Sequence, residues 1–376
     1  VFDGVAYFST TDPSYGIWRW DLDTRDVESV GAPIDHPTRD VFEDGGELLG
    51  VGSGGYSAVW RLDPETGETS AVRLGEVGLT TGAGNLQSFH AMGGDVYAGG
   101  SRATTVHHLA TGDREGFLTP GEPKVMCSVD GLLYQAVYGG AGLVEYDPET
   151  GESRELAWVG DDQNRPRAMH YHEPAGLLLV GTRPDYGQLG GAISAYDLDA
   201  DALVSVDRGV VPEQSVNAMT SIGENLFLGT DVRGGIGAEP TAESARVAAW
   251  DPRDREVLWS ASLPYTGIMG LAGHEGRLYG RAVDGAFFGF DPETRERIVE
   301  REMDASGDVI AHGGLIYGVD TERLFAYDPA ADELDVLLDD LRGGDAWHNF
   351  PQVAVDAEGV LYVGREKDLL RVELDR

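Results

Sequence analysis

The chain has 376 residues and carries 65 acidic side chains against 28 basic ones, for a formal net charge of −37 at pH 7. A surface of that sign repels nucleic acid and anionic lipid, so neither is expected as a partner. No segment has the roughly eighteen consecutive apolar residues of a membrane helix, and the single cysteine, Cys127, can form no internal disulfide and reads as a small buried hydrophobe.

An aromatic residue or Leu followed by Asp and a turn returns about every forty residues. The copies are Trp20-Asp21, Leu62-Asp63, Tyr146-Asp147, Tyr196-Asp197, Trp250-Asp251, Phe290-Asp291, Tyr327-Asp328 and Leu374-Asp375, with a degraded copy at 108–112. From the N-terminus, residues 1–33 supply about three strands, and complete units follow over 35–76, 79–119, 120–160, 161–209, 210–263, 264–306 and 307–343. Residues 346–376 supply about three strands more.

The unit over 122–157 shows the internal pattern: an apolar run 125–129, a turn at Asp130-Gly131, a second run 132–137, a third at 142–146, the turn Asp147-Pro148-Glu149-Thr150-Gly151, and a last strand from Glu152. Asp-Gly and Asp-Pro-x-x-Gly between apolar runs are hairpin signals, because Gly accepts the positive φ such turns need. No run has a helical period. The expected fold is all-β, a single β-propeller domain over 1–376 built of four-stranded antiparallel blades. Sharing one sheet between the two termini would hide the free edges and make eight blades, with seven or nine as the alternatives.

In the usual propeller the loops entering each innermost strand, and those joining the second and third strands, surround the mouth of a central shaft. Those loops hold Arg39, Arg102, Lys124, Arg165, Arg167, Arg183, Arg233, Arg281, Arg323, Arg365 and Lys367, including both lysines of the chain. Positive charge gathered at one mouth of a negative protein implies an anionic ligand. The plainer alternative is that each arginine pairs with a carboxylate and stitches neighbouring blades. Two long insertions, 182–191 and 231–244, fall in the same kind of loop and mark the expected binding face.

His90 and His348 stand at inner-strand starts and supply candidate acid and base groups, with Tyr138 and Tyr186 in strand-joining loops. Asn217 and Trp347 join the arginines as candidate ligand-binding residues. His170 and His172 alternate on one strand, a spacing compatible with a metal though equally with hydrogen-bonded fillers between blades. No cofactor is expected. Asp161 and Asp162 are the carboxylates weighed for a Ca²⁺ beside the ligand, against a solvated loop. Catalytic elbows, zinc motifs and phosphate-cradling loops are absent from the sequence, which disfavours redox and nucleotide chemistry.

The Tyr-Asp-Pro-Glu-Thr-Gly-Glu copies resemble the quinoprotein-like propeller superfamily of bacteria and archaea, and the stretch Trp250 to Trp259 looks like its tryptophan-docking repeat. The adjacent cysteines of quinoprotein dehydrogenases are absent. Some propellers of this appearance are polysaccharide lyases or glycosidases acting on uronate linkages through His, Tyr and Arg at the shaft mouth, and the present chain is similar to them in architecture and mouth residues. The expectation is a secreted polysaccharide lyase, extracellular or periplasmic and monomeric, that binds an acidic carbohydrate and cleaves it by β-elimination. Arg or an amide would neutralise the uronate carboxylate, His would take the C5 proton and Tyr would protonate the leaving O4. A non-catalytic module binding a protein or peptide is the alternative, as is a glycoside hydrolase using carboxylates such as Asp40, Asp185 or Asp231.

Overall fold

The computed structural model describes all residues except 2–3, 11–14, 35–37, 53–57, 75, 80–84, 161, 304–306, 342–350, 366–367 and 375–376. The described residues form nine antiparallel sheets, seven of four strands and two of three, each a simple up-and-down meander. In chain order they span 5–31, 38–73, 88–118, 122–158, 163–208, 215–262, 268–301, 309–338 and 353–372. The only helical element among them is a 3-10 turn at Glu173–Ala175.

The repeat Asp makes the turns. Asp63 Oδ1 accepts the amides of Glu65 and Thr66 at 2.8 and 3.1 Å, and Asp291 does the same with Glu293 and Thr294 at 2.8 and 3.1 Å. Asp21, Asp197, Asp251 and Asp328 hold their turns identically. A carboxylate that accepts two backbone amides caps the hairpin and favours its own charge, so the backbone bonds hold the carboxyls of Asp21, Asp63 and Asp251 below their ordinary range. At Asp130-Gly131 both residues have positive φ, 50° and 84°, the backbone of a type I′ hairpin.

Two compact units divide the chain. The first, Val1–Gly84 with Ser101–Ala103, holds the first two sheets around a core of Ile17, Leu48, Trp60 and Leu62. In the second, Asn85–Gly100 with Thr104–Arg376, each of the seven sheets has its first strand, here called the inner strand, at one edge. These are Ser88–Met92, Glu122–Val129, Gln163–His172, Ser215–Ile222, Ile268–His274, Val309–His312 and Val353–Val355. They lie side by side in that order, and Val353–Val355 also lies beside Ser88–Met92. Phe89, Ala91, Val96 and Tyr362 fill the core between the last sheet and the first of this unit. The sheet expected to be shared between the termini is not formed among the described residues: 5–31 and 353–372 each make a three-stranded sheet of their own.

Within a sheet, a glycine on the second strand seats an aromatic ring from the third. Gly318 pairs with Phe325, and a Cβ at Gly318 would stand 2.1 Å from Phe325 Cζ; Gly280 and Phe288 repeat this at 2.4 Å. Both rings have no exposed surface, so neither can swing outward without vacating the core. Gly318→Ala should therefore lower stability by about 1–3 kcal/mol through overpacking, measured by urea denaturation; an unchanged midpoint would show that the ring can be reseated freely.

Candidate functional site

The seven inner strands of the second unit line one cavity of about 370 Å³. Four of them carry a β-bulge at the same level. The register skips one residue between Pro123 and Val125, between Pro166 and Ala168, between Val216 and Ala218, and between Ile268 and Gly270. The skipped residues are Lys124, Arg167, Asn217 and Met269, and all four line the cavity. A bulge leaves one residue outside the ladder and re-aims its side chain, which brings polar groups to the cavity wall from strands whose other residues alternate into apolar packing.

Above this tier stand the loops of the fourth, fifth and sixth sheets. Asp231, fully buried, is the hub: its Oδ2 accepts from Arg183 Nη2 at 2.8 Å, Arg233 Nη2 at 2.8 Å and Asn217 Nδ2 at 2.9 Å. Its Oδ1 accepts the Arg233 amide at 2.8 Å and Nε at 3.0 Å. Burial opposes its charge, yet the Arg233 hydrogen bond and the Arg183 and Arg233 charges together hold its carboxyl below the ordinary range. Burial and then repulsion from Arg183 push the Arg167 guanidinium well below its usual value, with Asp231 opposing. Four guanidinium groups, of Arg165, Arg167, Arg183 and Arg233, thus act on one another around a single buried carboxylate.

The two long insertions bind each other. Gly235 N donates to Gln188 O at 2.9 Å and Gly187 N to Ile236 O at 2.9 Å; a Cβ at Gly235 would lie 1.8 Å from Asp185 O, so the approach needs glycine. Asn164 extends the network, donating to Asp185 Oδ1 at 2.8 Å and accepting the Gly140 amide at 3.0 Å. A smaller recess is lined by Tyr138, Arg165, Arg183 and Tyr186. In it the two phenol oxygens are 2.8 Å apart, and the Arg165 guanidinium lies 4.7 Å from the Tyr138 ring centre. Burial, then the Tyr186 hydrogen bond, raises the Tyr138 pKa, which keeps the phenol protonated.

Eight expected residues therefore meet at one end of the cavity or on its wall, namely Tyr138, Tyr186, His90, Lys124, Arg165, Arg167, Arg183 and Asn217, with Arg233 joined to Arg183 and Asn217 through Asp231. Lys124 is not an isolated charge, since its Nζ is 2.8 Å from Glu122 Oε2 and donates to Gln87 Oε1 at 2.5 Å. Arg281 lies elsewhere. It has no exposed surface, sits 3.8 Å from Asp320 and 5.3 Å from the Phe325 ring centre, and shares Asp320 with Arg323, the blade-stitching role. Arg365 pairs with Asp340 at 3.6 Å. In the first unit Arg39 is the extra residue of a bulge between Thr38 and Asp40, and Arg102 donates to the Tyr15 hydroxyl at 2.7 Å. His348, Trp347, Lys367 and Asp161 lie outside the described residues.

His90 lines the cavity, but its Nε2 is 2.9 Å from Ser128 Oγ and burial lowers its pKa to about 4, so it is neutral at pH 7 and a weak base. His170 has the same arrangement with Ser221 at 2.7 Å, and His172 meets the Glu224 carbonyl at 3.1 Å, so the alternating pair serves as inter-sheet ties. Asp162 pairs with Arg208 at 2.7 Å. Among the described residues no group of three or more His, Cys, Asp or Glu is placed to hold a metal, and no helix is long and apolar enough to cross a membrane. Burial pushes the Cys127 thiol up to about 12.

Sequence reasoning passed over Asp308, one acidic residue among 65. It lines the cavity from the eighth sheet's side, its Oδ1 accepts the Val309 amide at 2.8 Å, and burial pushes its pKa up to about 7. It also passed over Gln163 and Gln214, which accept from Thr182 and Thr230 at 2.5 Å each and lock second strand to first. A signal for the bulges was present: polar, small or branched, then Met recurs as Lys124-Val125-Met126, Arg167-Ala168-Met169 and Asn217-Ala218-Met219.

No protein-family model and no curated protein matches the chain. Among solved structures, the crystal structure of the computationally designed protein Ika8 is similar to it at 14% sequence identity and a TM-score of 0.48, over 90% of this chain and 94% of that one. A likeness of that size carries no functional weight, and the resemblance to quinoprotein-like propellers rests on repeat motifs alone.

Two titratable groups yield direct tests. Asp231→Asn leaves Arg183, 16% exposed, without its counter-charge and loosens the more exposed Arg233, and should cost about 3 kcal/mol, read by chemical denaturation, whereas a neutral outcome would mean that Arg183 can turn to solvent. For Asp308 the folded pKa is raised from 3.8 to about 7, so its stabilising contribution is complete below the unfolded value and is lost as pH rises through 7. Asp308→Asn should therefore melt with wild type near pH 4 and above it at pH 8; a constant difference between the two proteins would contradict a buried, raised carboxyl.

Proposed function

We propose that the second unit is a seven-bladed propeller whose axial shaft is the cavity, and that its mouth binds the carboxylate of an acidic, uronate-containing sugar and cleaves the chain by β-elimination. The ring is supported by the seven inner strands packed in order, with the last beside the first. The ligand class is supported by one observation above all: Arg165, Arg183 and Arg233 all repel Arg167, while the carboxylate that attracts it, Asp231, is already bonded to Arg183 and Arg233, on a protein of formal net charge −37. An incoming anion relieves their mutual repulsion.

In the proposed reaction Arg165 and Arg183 hold the uronate carboxylate, which acidifies the C5 proton. The C5–H electron pair forms the C4–C5 double bond as the C4–O4 bond breaks, and the Tyr138–Tyr186 pair gives a proton to the departing O4. Tyr138 suits that role because burial keeps its phenol protonated. His90, tied to Ser128, is poorly suited to take the C5 proton. Asp308 replaces it in this scheme, because a pKa of about 7 matches a base working near neutrality. The engagement of His90 also favours a second reading, a binding module that holds the acidic sugar without cutting it.

Incubation with a panel of polyuronates, followed by the ultraviolet absorbance of the unsaturated product, separates these readings. Product is expected from at least one substrate, reduced about 100-fold or more in Tyr138→Phe/Tyr186→Phe and in Asp308→Asn, with Arg183→Ala acting mainly on KM. Binding by calorimetry without absorbance change would establish the module instead, and neither binding nor product would overturn both.

A further inference from the structure

The interior of the cavity differs chemically from its mouth. Of the six methionines in the chain, four line it: Met126, Met169, Met219 and Met269. Met126, Met169 and Met219 stand two residues beyond the bulge residues Lys124, Arg167 and Asn217 and pair with Gln135, Val180 and Leu228, one level along the wall. The opposite wall continues this apolar surface with Leu271, Val309, Ile310, Val353 and Val355. Sugar hydroxyls placed against thioethers and branched aliphatic chains would lose their hydrogen bonds to water with nothing in return. Flexible methionines accept instead the irregular outline of an apolar chain.

One polar group on this wall asks for a donor. Asn217 is 2% exposed and gives its Nδ2 to Asp231, while its Oδ1 is buried with no hydrogen-bond partner. Its place on the bulge tier sets it level with Lys124 and Arg167, and Arg165, on the same wall, makes no ion pair with a carboxylate among the described residues. Cations and an acceptor without a donor therefore share one tier of a cavity whose next level is apolar. At about 370 Å³ it falls at the small end of ligand pockets.

We infer that the interior of the shaft is a site for a medium-chain hydroxy acid, with the carboxylate on the Arg165–Lys124 side of the bulge tier, the hydroxyl donating to Asn217 Oδ1, and the alkyl tail among the four methionines. This site shares Arg165 with the sugar cleavage proposed for the mouth but does not rest on it, because the apolar floor that would take the tail has no part in that reaction.

Calorimetry on the whole chain tests it with 3-hydroxybutyrate, 3-hydroxyhexanoate, 3-hydroxyoctanoate and octanoate, and with galacturonate as the mouth ligand. Affinity should rise roughly fourfold for each added methylene, and octanoate should bind about five- to tenfold more weakly than its 3-hydroxy analogue for want of the bond to Asn217. Met169→Gln and Met219→Gln, confirmed as folded by circular dichroism, should flatten the chain-length series, and Met219→Leu should restore it. Galacturonate binding should be untouched by these changes and weakened by Arg183→Ala. Equal affinity across the chain lengths, or a series unaffected by both glutamine variants, would overturn the inference, whatever galacturonate does.

Discussion

One extra residue in an inner strand decides what the cavity of the second unit can do. In a regular ladder, residues alternate strictly between two faces, and the inner strands of these sheets use both faces for packing against neighbouring sheets. A polar side chain held in a regular register is forced between sheets, as happens on a second strand to Arg281, which ends buried against Asp320 and Phe325. The bulges at Lys124, Arg167, Asn217 and Met269 break the alternation at one level and leave four side chains on the cavity wall. The tier exists because the same irregularity recurs in adjacent repeats, so its chemistry can vary residue by residue while the apolar packing on either side stays in register.

Charge concentrated at that tier has to be balanced from the loops above it. Asp231 does so from the end of a second strand, with Asn217 and two arginines on its oxygens. Burying a carboxylate is costly unless its lone pairs are filled, and Asp231 fills both oxygens. The loops meet through backbone bonds at Gly187 and Gly235 rather than through side chains alone, which fixes their separation. A rigid rim matters for any ligand that two arginines must hold at once, since the entropy of ordering long side chains is then spent during folding rather than on binding.

Much of this architecture was legible from residues alone. In the four-stranded sheets the aromatic-Asp repeat marks the third strand and its turn, and the unit boundaries read from it fall within five residues of the sheets except at 79 and 346, where the first strands begin at Ser88 and Val353, because the Asp that announces the repeat is the group that caps the hairpin. The association of Tyr138, Tyr186, Arg165 and Arg183 was legible too, since the start of a first strand, the end of a second strand and the loop that follows it reach the same end of such a meander. The terminal sheet was misread, because three-stranded segments at both ends look like two parts of one blade, and nothing local distinguishes a strand that pairs at long range from one that completes its own meander. Asp308 was invisible for a different reason. Its distinction is the burial around it, and among so many carboxylates the residue type carries no information.

The histidines show how environment overrides residue type. Imidazole is the usual side chain for proton transfer near neutrality, and His90 does face the cavity. Yet the inner strands stand so close that Ser128 from the next sheet reaches its ring nitrogen, and the same contact recurs between His170 and Ser221. Two copies of one inter-sheet bond are a packing device, and the desolvation that accompanies it lowers both pKa values to about 4. The same desolvation acts in the opposite direction on a carboxyl, raising Asp308 to about 7. Burial between these sheets thus exchanges the ordinary roles of the two side chains: the histidine becomes a neutral strut, and the aspartate becomes the group that can change its charge at neutral pH.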